Sequence, residues 1–593
     1  MPSRSKENWP HGAIMVDTEH TRFALWAPDA KQVGVVLEHG QTLPMQPRAD
    51  GWFVVQARCP AGTRYRFNID AELDVPDPAS RAQAGDVHAA SVVVDPGTYH
   101  WRNRHWQGRP WHEAVIYELH VGAMGGFAAV QEQLPRLAAL GITAIELMPI
   151  AQFPGERNWG YDGVQPYAPQ ASYGTPEQLK SLIDRAHDLG LMVVLDVVYN
   201  HFGPDGNYLG RYAKGFFCED QHTPWGAAID FQRPQVRDFF IDNALMWLLD
   251  YRFDGLRLDA VHAIADPTFC PDLAHRVRER IEPDRQVWLI LENEHNQAHL
   301  LEQGFDGQWN DDGHNVLHVL LTGEREGYYQ HFQDRPIEQL ARCLRQGFVY
   351  QGQADARGVP RGEPSAHLPA TAFVLFLQNH DQIGNRALGE RLSQLCPPQA
   401  LRAATTLLLL SPMIPLLFMG DEWAASEPFL FFTSHHGQLA QAVRDGRRTE
   451  FAGFQAFADA QKRARIPDPN QPQTFSASRP DFQQAHENNP WLHLYRELLQ
   501  IRRQHLFARL PGSHSLEARV LAEKALTARW QLGDGSQLRI DLNLGPKPVS
   551  TVMPAPERRL FESTPHPINA THLLPWSTLV SLTPLSATEP PHE

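Results

Sequence analysis

Four carboxyl residues stand at or just after the ends of apolar runs, where they could do chemistry. Asp196 lies near the end of Leu191–Val198 and is followed by Asn200 and His201. Asp259 closes the run that begins at Asp254, with Arg257 two residues before it and His262 three after. Glu292 directly follows Val287–Leu291, and Asp381, with Asn379 and His380, follows Ala372–Leu377. One polar residue behind an apolar run is usually a solvated strand end; four carboxylates so placed argue for a shared site. Convergent carboxylates suit glycoside hydrolysis. One attacks the anomeric carbon, a protonated one supplies the leaving oxygen with its proton, and a third can bind hydroxyls and stabilise positive charge on the distorted sugar. Arg257 and Asp259 are two apart in an extended segment, so both point to one face. An arginine beside the nucleophile holds it ionised, whereas the general acid needs surroundings that raise its pKa. The cluster alone leaves open which carboxylate has which role.

Those runs belong to a regular pattern. From about residue 111, Val115–Leu119, Ile142–Met148, Leu191–Val198, Asp254–Asp259, Val287–Leu291, Ala372–Leu377 and Ile414–Phe418 read as buried strands, and a weak strand near Phe305–Gln308 brings the count towards eight. Helix-like segments intervene at Val130–Leu140, Pro176–Leu189, Arg237–Leu249 and Cys270–Ile281. Strand alternating with helix predicts a parallel sheet. A closed (β/α)8 TIM barrel fits this length better than a doubly wound sheet, and it puts strand C-termini, and so the carboxylates, at one mouth. No GxGxxG or Walker pattern opens a helix, which counts against nucleotide binding.

The flanks read differently. Phe23–Ala27, Val33–Leu37, Trp52–Val55 and Arg64–Ile69 are short runs bounded by turn residues, as in a β-sandwich. Val75–Ser80, with two prolines, cannot continue a ladder. After the last helix, Leu492–Arg502, alternation returns at Ala525–Trp530, Leu538–Leu542 and Leu579–Leu582. The expected domains are an N-terminal, carbohydrate-binding-like sandwich over 1–108, a catalytic barrel with loop excursions over 109–510 (the irregular Ile466–Pro490 among them), and a small antiparallel β domain over 511–593.

Composition narrows the partners. With 53 Lys+Arg against 68 Asp+Glu, the net charge of −15 excludes a general polyanion binder, and no nucleic-acid partner is expected. Fifteen tryptophans suit neutral ligands that stack on aromatic faces, sugars among them. Five scattered cysteines without a CxxC make no disulfide framework or zinc site and fit a reducing compartment. The start, MPSRSKENWPHGAIMVD, has no apolar leader core, and Leu407–Met419 is too short and too proline-broken to span a bilayer. A soluble, cytoplasmic protein with no membrane partner is expected.

The stretches DVVYNHF (Asp196–Phe202), DGLRLDAVH (Asp254–His262), LILENE (Leu289–Glu294) and FLQNHDQIGNR (Phe376–Arg386) occur in that order. Together they resemble the four sequence regions of the α-amylase superfamily. The resemblance implies Asp259 as nucleophile, Glu292 as general acid/base and Asp381 as transition-state stabiliser. It puts His201, Arg257 and His380 at sugar-binding positions, and Asp196 and Asn200 at mainly structural ones. YELHVG (Tyr117–Gly122), ELMPIAQFPGERNWGYDG (Glu146–Gly163), YGTP (Tyr173–Pro176), QWNDDGH (Gln308–His314) and GDEWAASEPFLFFT (Gly420–Thr433) are similar to the maltooligosyltrehalose trehalohydrolase family, as are LWAPDA (Leu25–Ala30) and VPDPASRAQ (Val75–Gln83). This similarity runs from about residue 20 to 510. Enzymes of that family cut the α-1,4 bond next to a terminal trehalose unit, with retention of configuration, and release trehalose and a maltooligosaccharide. The implied partner is maltooligosyltrehalose or a related α-1,4-glucan, which a synthase makes first without any implied contact.

The resemblance also fills out the substrate-binding set. Trp159 and Tyr161 could stack on sugar rings, and Tyr161 matches the position beside the cleaved residue. Asp311 and Asp312 are expected hydroxyl binders, joined by His262, His314, Gln382, Asn385 and Arg386. Phe429, Phe431 and Phe432 could wall the site. Glu294 rivals Glu292, but Glu292 directly ends the apolar run. Amylase members often bind calcium near the position of Asn200; no dense acidic loop lies beside it, so no metal and no cofactor is expected. Met124-Gly125-Gly126 is shorter than that family's loop, and Gly313 and Asn315 replace an expected aromatic and a second histidine; both departures bear on chain-length preference. Two other functions remain open: an α-glucan branching or debranching enzyme, and a non-catalytic glucan-binding relative.

Overall fold

The computed structural model describes residues 10–355, 357–551, 558–564 and 571–584. The reading of the chain start as lacking a leader falls largely on residues 1–9, outside the described residues.

Eight parallel strands close a barrel: β1 Ile116–Leu119, β2 Ala144–Leu147, β3 Met192–Val197, β4 Gly255–Leu258, β5 Trp288–Leu291, β6 Gly307–Trp309, β7 Phe373–Phe376 and β8 Ile414–Phe418, with β8 pairing back onto β1. Every residue in these strands is buried. A strand covered on both faces reads as a continuous apolar run, which is why the runs were visible in the sequence. Ile116, Ala144, Met192, Val194, Trp288, Ile290, Trp309, Val374, Phe376, Ile414 and Leu416 pack into one cluster that fills the barrel interior. Side chains alternate along a strand. Two residues beyond Ile116, Ala144, Val194 and Ile290, on the same face, stand Glu118, Glu146, Asp196 and Glu292. The barrel is thus oily below and ionisable at its C-terminal end.

The helices close where the sequence changes character. Phe127–Leu140 ends at Gly141 in the left-handed region (φ 109°), a conformation natural to glycine. Pro176–Asp188 begins at a capping box, with Thr175 accepting from Gln178 N and the Gln178 side chain returning to the Thr175 N–H.

Two antiparallel sheets form the N-terminal sandwich, one from Gly12–Met15, His20–Trp26, Trp52–Arg58 and Gln46–Pro47, the other built around Val33–Leu37 and Arg64–Ile69. The proline-rich exit from this sandwich leads to a clasp on the barrel. Gly85 O accepts from Gln152 Nε2, Val87 O accepts from Gln165 Nε2, and the Asp86 carboxylate accepts from Gly155 N at 3.0 Å. The clasped segment is the loop after β2 that carries Tyr161. At the other end, His514–Ala522, Ala525–Gln531, Gln537–Asn543, Ser577–Thr583 and Arg558–Glu562 form one antiparallel sheet. Among the described residues, no helix is long and apolar enough to cross a membrane.

Candidate active site

Arg257 organises the mouth of the barrel. It sits fully buried on β4, over the Trp309 ring at 4.1 Å. Its Nη1 donates to Asp196 (2.7 Å) and to Asp259 (2.8 Å), and its Nη2 donates to Glu292 (2.9 Å). One guanidinium therefore ties the ends of β3, β4 and β5. Its planar fork can do this where a lysine could not.

The two carboxyls on that fork are tuned in opposite directions. Burial alone would raise Asp259, but the Arg257 charge and the hydrogen bond from Asn200 Nδ2 (2.8 Å) outweigh it and hold the group below the usual range. Glu292 is pushed well above its ordinary value, by burial first and then by the neighbouring charges of Asp259, Asp381 and Asp311, against the pull of Arg257. Its remaining contact is the Ala260 N–H, which donates to Oε2 at 2.8 Å. The two carboxyls are thus pulled apart, Asp259 towards the ionised form and Glu292 towards the protonated one, the division of labour that glycoside hydrolysis needs. Asp381 lies in the first turn after β7, about one-third exposed, with Asn385 Nδ2 donating to its Oδ1 at 3.1 Å.

A second network backs the first. Tyr161 donates from Oη to Asp196 Oδ2 at 2.8 Å, and its Oη lies 2.8 Å from His380 Nε2. His380 is held by Glu118 through both its backbone N–H and its ring Nδ1. His201 contacts Asn200 through Nδ1 and donates from Nε2 towards Tyr161 O (3.0 Å).

The structure brings most of the expected residues together. Asp259, Glu292, Asp381, Arg257, His380, Tyr161, His201 and Asn385 join in these networks. His262 and Asp311 lie close by: His262 feels the Asp259 charge, and Asp311, raised to about 7 by burial and then by Asp381 and Asp312, against Arg361, faces Glu292. Gln382 sits on the same short helix as Asp381, partly exposed. Glu294 points outward, more than half exposed, with its backbone N–H directed to His262 Nδ1.

Four expectations are corrected. Trp159 is only 4% exposed; Phe429 stacks on it at 5.5 Å, Phe431 and His380 meet it edge to face, and its Nε1 donates to Leu430 O. It is a wall behind His380, with no free face for a sugar. Asp312 is wholly buried and accepts from Asn296 Nδ2, Val349 N, Tyr350 N and Arg361 Nη2, so it braces a loop. His314 is buried, with Nδ1 donating to Leu377 O and its ring stacked on Phe376. Arg386 makes a forked pair with Glu324 at 2.7 and 3.0 Å, a structural engagement.

Other residues had gone unassigned. Glu118 and Glu146 are carboxyls inside four-residue strands that are otherwise apolar, a signal present in the sequence. Trp225 is half-exposed on a hairpin tip, with its ring stacked over His201 at 5.6 Å. Nothing but its isolation in a polar stretch marked it. Among the described residues, no group of three or more His, Cys, Asp or Glu is arranged to hold a metal ion.

Barrel, guanidinium fork and oppositely tuned carboxyls define a glycoside hydrolase of the α-amylase class. Family models agree: the alpha-amylase catalytic domain matches residues 103–225, carbohydrate-binding module 48 (the isoamylase N-terminal domain) matches 10–96, and a domain of unknown function, DUF3459, matches 513–580. The malto-oligosyltrehalose trehalohydrolase of Deinococcus radiodurans is 44% identical over 495 residues, covering 82% of this chain and 81% of the relative. That of Mycobacterium tuberculosis is 37% identical over 594 residues, 96% of this chain and 99% of the relative. The chain belongs to the malto-oligosyltrehalose trehalohydrolase family. A crystal structure from Salmonella typhimurium, assigned provisionally as an alpha amylase, superposes with a TM-score of 0.91 at 42% identity, covering 97% of this chain and 99% of that one.

Proposed function

We propose that the chain is a retaining glycosidase that cleaves the α-1,4 bond next to the terminal trehalose unit of maltooligosyltrehalose, releasing trehalose and a maltooligosaccharide. The observation that carries this is the single Arg257 fork bonded to both Asp259 and Glu292 in a chain 37–44% identical, over most of its length, to relatives named for that reaction. Asp259 attacks the anomeric carbon while Glu292 protonates the departing trehalose oxygen. Glu292, now a carboxylate, deprotonates the water that releases the glucan. Two carboxylates on one guanidinium favour the close spacing, about 5 Å, of double displacement over the wider gap of inversion. Asp381 and His380 bind hydroxyls of the reacting sugar, and His201, His262, Asp311 and Tyr161 line its surroundings.

A maltooligosyltrehalose synthase is the class of enzyme that supplies such a substrate. The five free cysteines fit a reducing compartment, so we place the reaction in the cytoplasm.

Incubation with maltotriosyltrehalose and quantification of free trehalose tests the assignment. Free trehalose is the expected product. New α-1,6 branches formed from amylose, without trehalose release, would instead identify a branching enzyme. No turnover of either would identify a glucan-binding relative.

A further inference from the structure

Glu118 on β1 and Glu146 on β2 are opposite each other in the parallel register, and both are buried beneath the catalytic carboxyls. They are nevertheless unlike. Neither carboxyl oxygen of Glu146 has a hydrogen-bond partner among the described residues. Both oxygens of Glu118 are taken by one residue: the His380 backbone N–H donates to Oε2 at 3.1 Å, and the His380 ring meets Oε1 through Nδ1.

This fixes proton positions along a chain. A carboxylate accepting at Nδ1 requires a proton on Nδ1. Nε2 then carries either a lone pair or a second proton. With a lone pair there, Tyr161 must direct its only O–H to His380, and Asp196 loses its phenolic donor. With an N–H there, Nε2 donates to Tyr161 Oη, and the phenol donates onward to Asp196.

We propose that Glu118 is a positioning residue for the reaction: by taking the backbone N–H and the ring Nδ1–H of His380 it keeps the imidazole doubly protonated, with an N–H donor at Nε2 facing Tyr161, Asp381 and the reacting sugar. The groups around the ring are consistent with this. Glu118 from β1, Asp381 from its own turn and Asp196 from β3 are acidic; Arg257 from β4 and His120, just after β1, oppose; Tyr161 and Glu146 complete the shell. Burial would lower His380, but the charges of Asp381 and Glu118 outweigh it and lift the ring to about 9. Glu146 is raised well above its ordinary value, by burial first and then by Glu118, and makes no hydrogen bond that competes with Glu118 for His380. The catalytic consequence rests on the glycosidase reading above; the protonation of His380 does not.

The experiment compares the unsubstituted chain with Glu118→Gln and Glu146→Gln, each carrying nitrogen-15 histidine, with the His380 ring signals assigned by their loss in His380→Gln. At pH 8, between histidine's ordinary 6.5 and the value of about 9 here, the unsubstituted chain and Glu146→Gln are expected to show an imidazolium at His380. Glu118→Gln is expected to show a neutral ring, with kcat down about tenfold at pH 8 and about threefold at pH 6, where solvent can reprotonate the ring. An imidazolium at pH 8 in Glu118→Gln, or equal loss of kcat at the two pH values, overturns the proposal. If Glu118→Gln fails to fold, Glu118→Asp keeps the charge and must keep the imidazolium; a neutral ring there overturns it equally. Absence of trehalose release by the unsubstituted chain would count against the function proposed above and leave the nitrogen-15 result standing.

Discussion

Asp259 and Glu292 share one guanidinium yet are driven apart in proton affinity. Arg257 Nη1 reaches Asp259 at 2.8 Å and Nη2 reaches Glu292 at 2.9 Å. Asn200 adds a second donor to Asp259, so ionisation wins there over burial. Glu292 gets only a backbone N–H in addition and faces three other carboxyls, so burial and repulsion win. The assignment of nucleophile and acid that the sequence cluster left open thus has an electrostatic basis in the folded protein.

Asp259→Asn and Glu292→Gln should each fold and each lose at least about 10³-fold in kcat, since each removes a group that acts in the transition state of the proposed reaction. Trehalose release from maltotriosyltrehalose, with thermal unfolding as the folding control, is the measurement. Substantial turnover in either variant would contradict the assignment.

The pH dependence has a definite sign. The proposed reaction uses Asp259 ionised, which holds above its lowered pKa, and Glu292 protonated, which holds below its raised one. The kcat/KM profile should therefore be bell-shaped, with an acid limb below the ordinary aspartate range and an alkaline limb well above the ordinary glutamate range. An alkaline limb near 4.5, the ordinary glutamate value, would show that Glu292 is not the acid.

How far the sequence could be read depended on what kind of contact decided each residue's place. The common location of Asp259, Glu292 and Asp381 was legible because a barrel brings every strand's C-terminus to one mouth. Trp159 was not: the ring that covers it belongs to Phe429, far along the chain after β8, and a loop tryptophan carries no mark of which face will be free. Asp311 and Asp312 look alike in sequence, but successive positions on a helix point about 100° apart. One therefore faces the cleft and its neighbour is buried under Arg361. Glu118 was visible as a lone carboxyl among apolar residues, whereas its partner His380 lies 262 positions away.

Two tryptophans should respond in opposite ways. Trp159→Ala opens a cavity among Phe429, Phe431 and His380 and should lower stability by about 3–5 kcal/mol. Trp225→Ala removes a half-exposed ring stacked on His201 and should leave the unfolding midpoint unchanged while raising KM several-fold. Thermal unfolding and steady-state kinetics on the same preparations separate them. A large fall in midpoint for Trp225→Ala would mean that its ring serves packing instead.

Arg386 acts through Glu324, and that pair makes a pH-dependent contribution to stability. Glu324 accepts from both Arg386 Nη atoms and meets His318 Nε2 at 2.7 Å, with the His318 ring stacked on Tyr329 at 4.0 Å. The loop after the helix that follows β6 is thereby fastened to the turn that carries Asp381. Burial would raise Glu324, but its hydrogen bonds with His318 and Arg386 bring it down from 4.5 to about 2. A carboxyl lowered on folding stabilises above its unfolded pKa and loses that contribution as pH falls through the folded one. Glu324→Gln should thus cost about 1–2 kcal/mol at pH 7, a figure discounted for a side chain 37% exposed. The difference from the unsubstituted chain should shrink between pH 4.5 and 2, and denaturant unfolding across that range measures it. A constant difference at every pH would show that Glu324 contributes by packing alone and that its charge does not hold the loop.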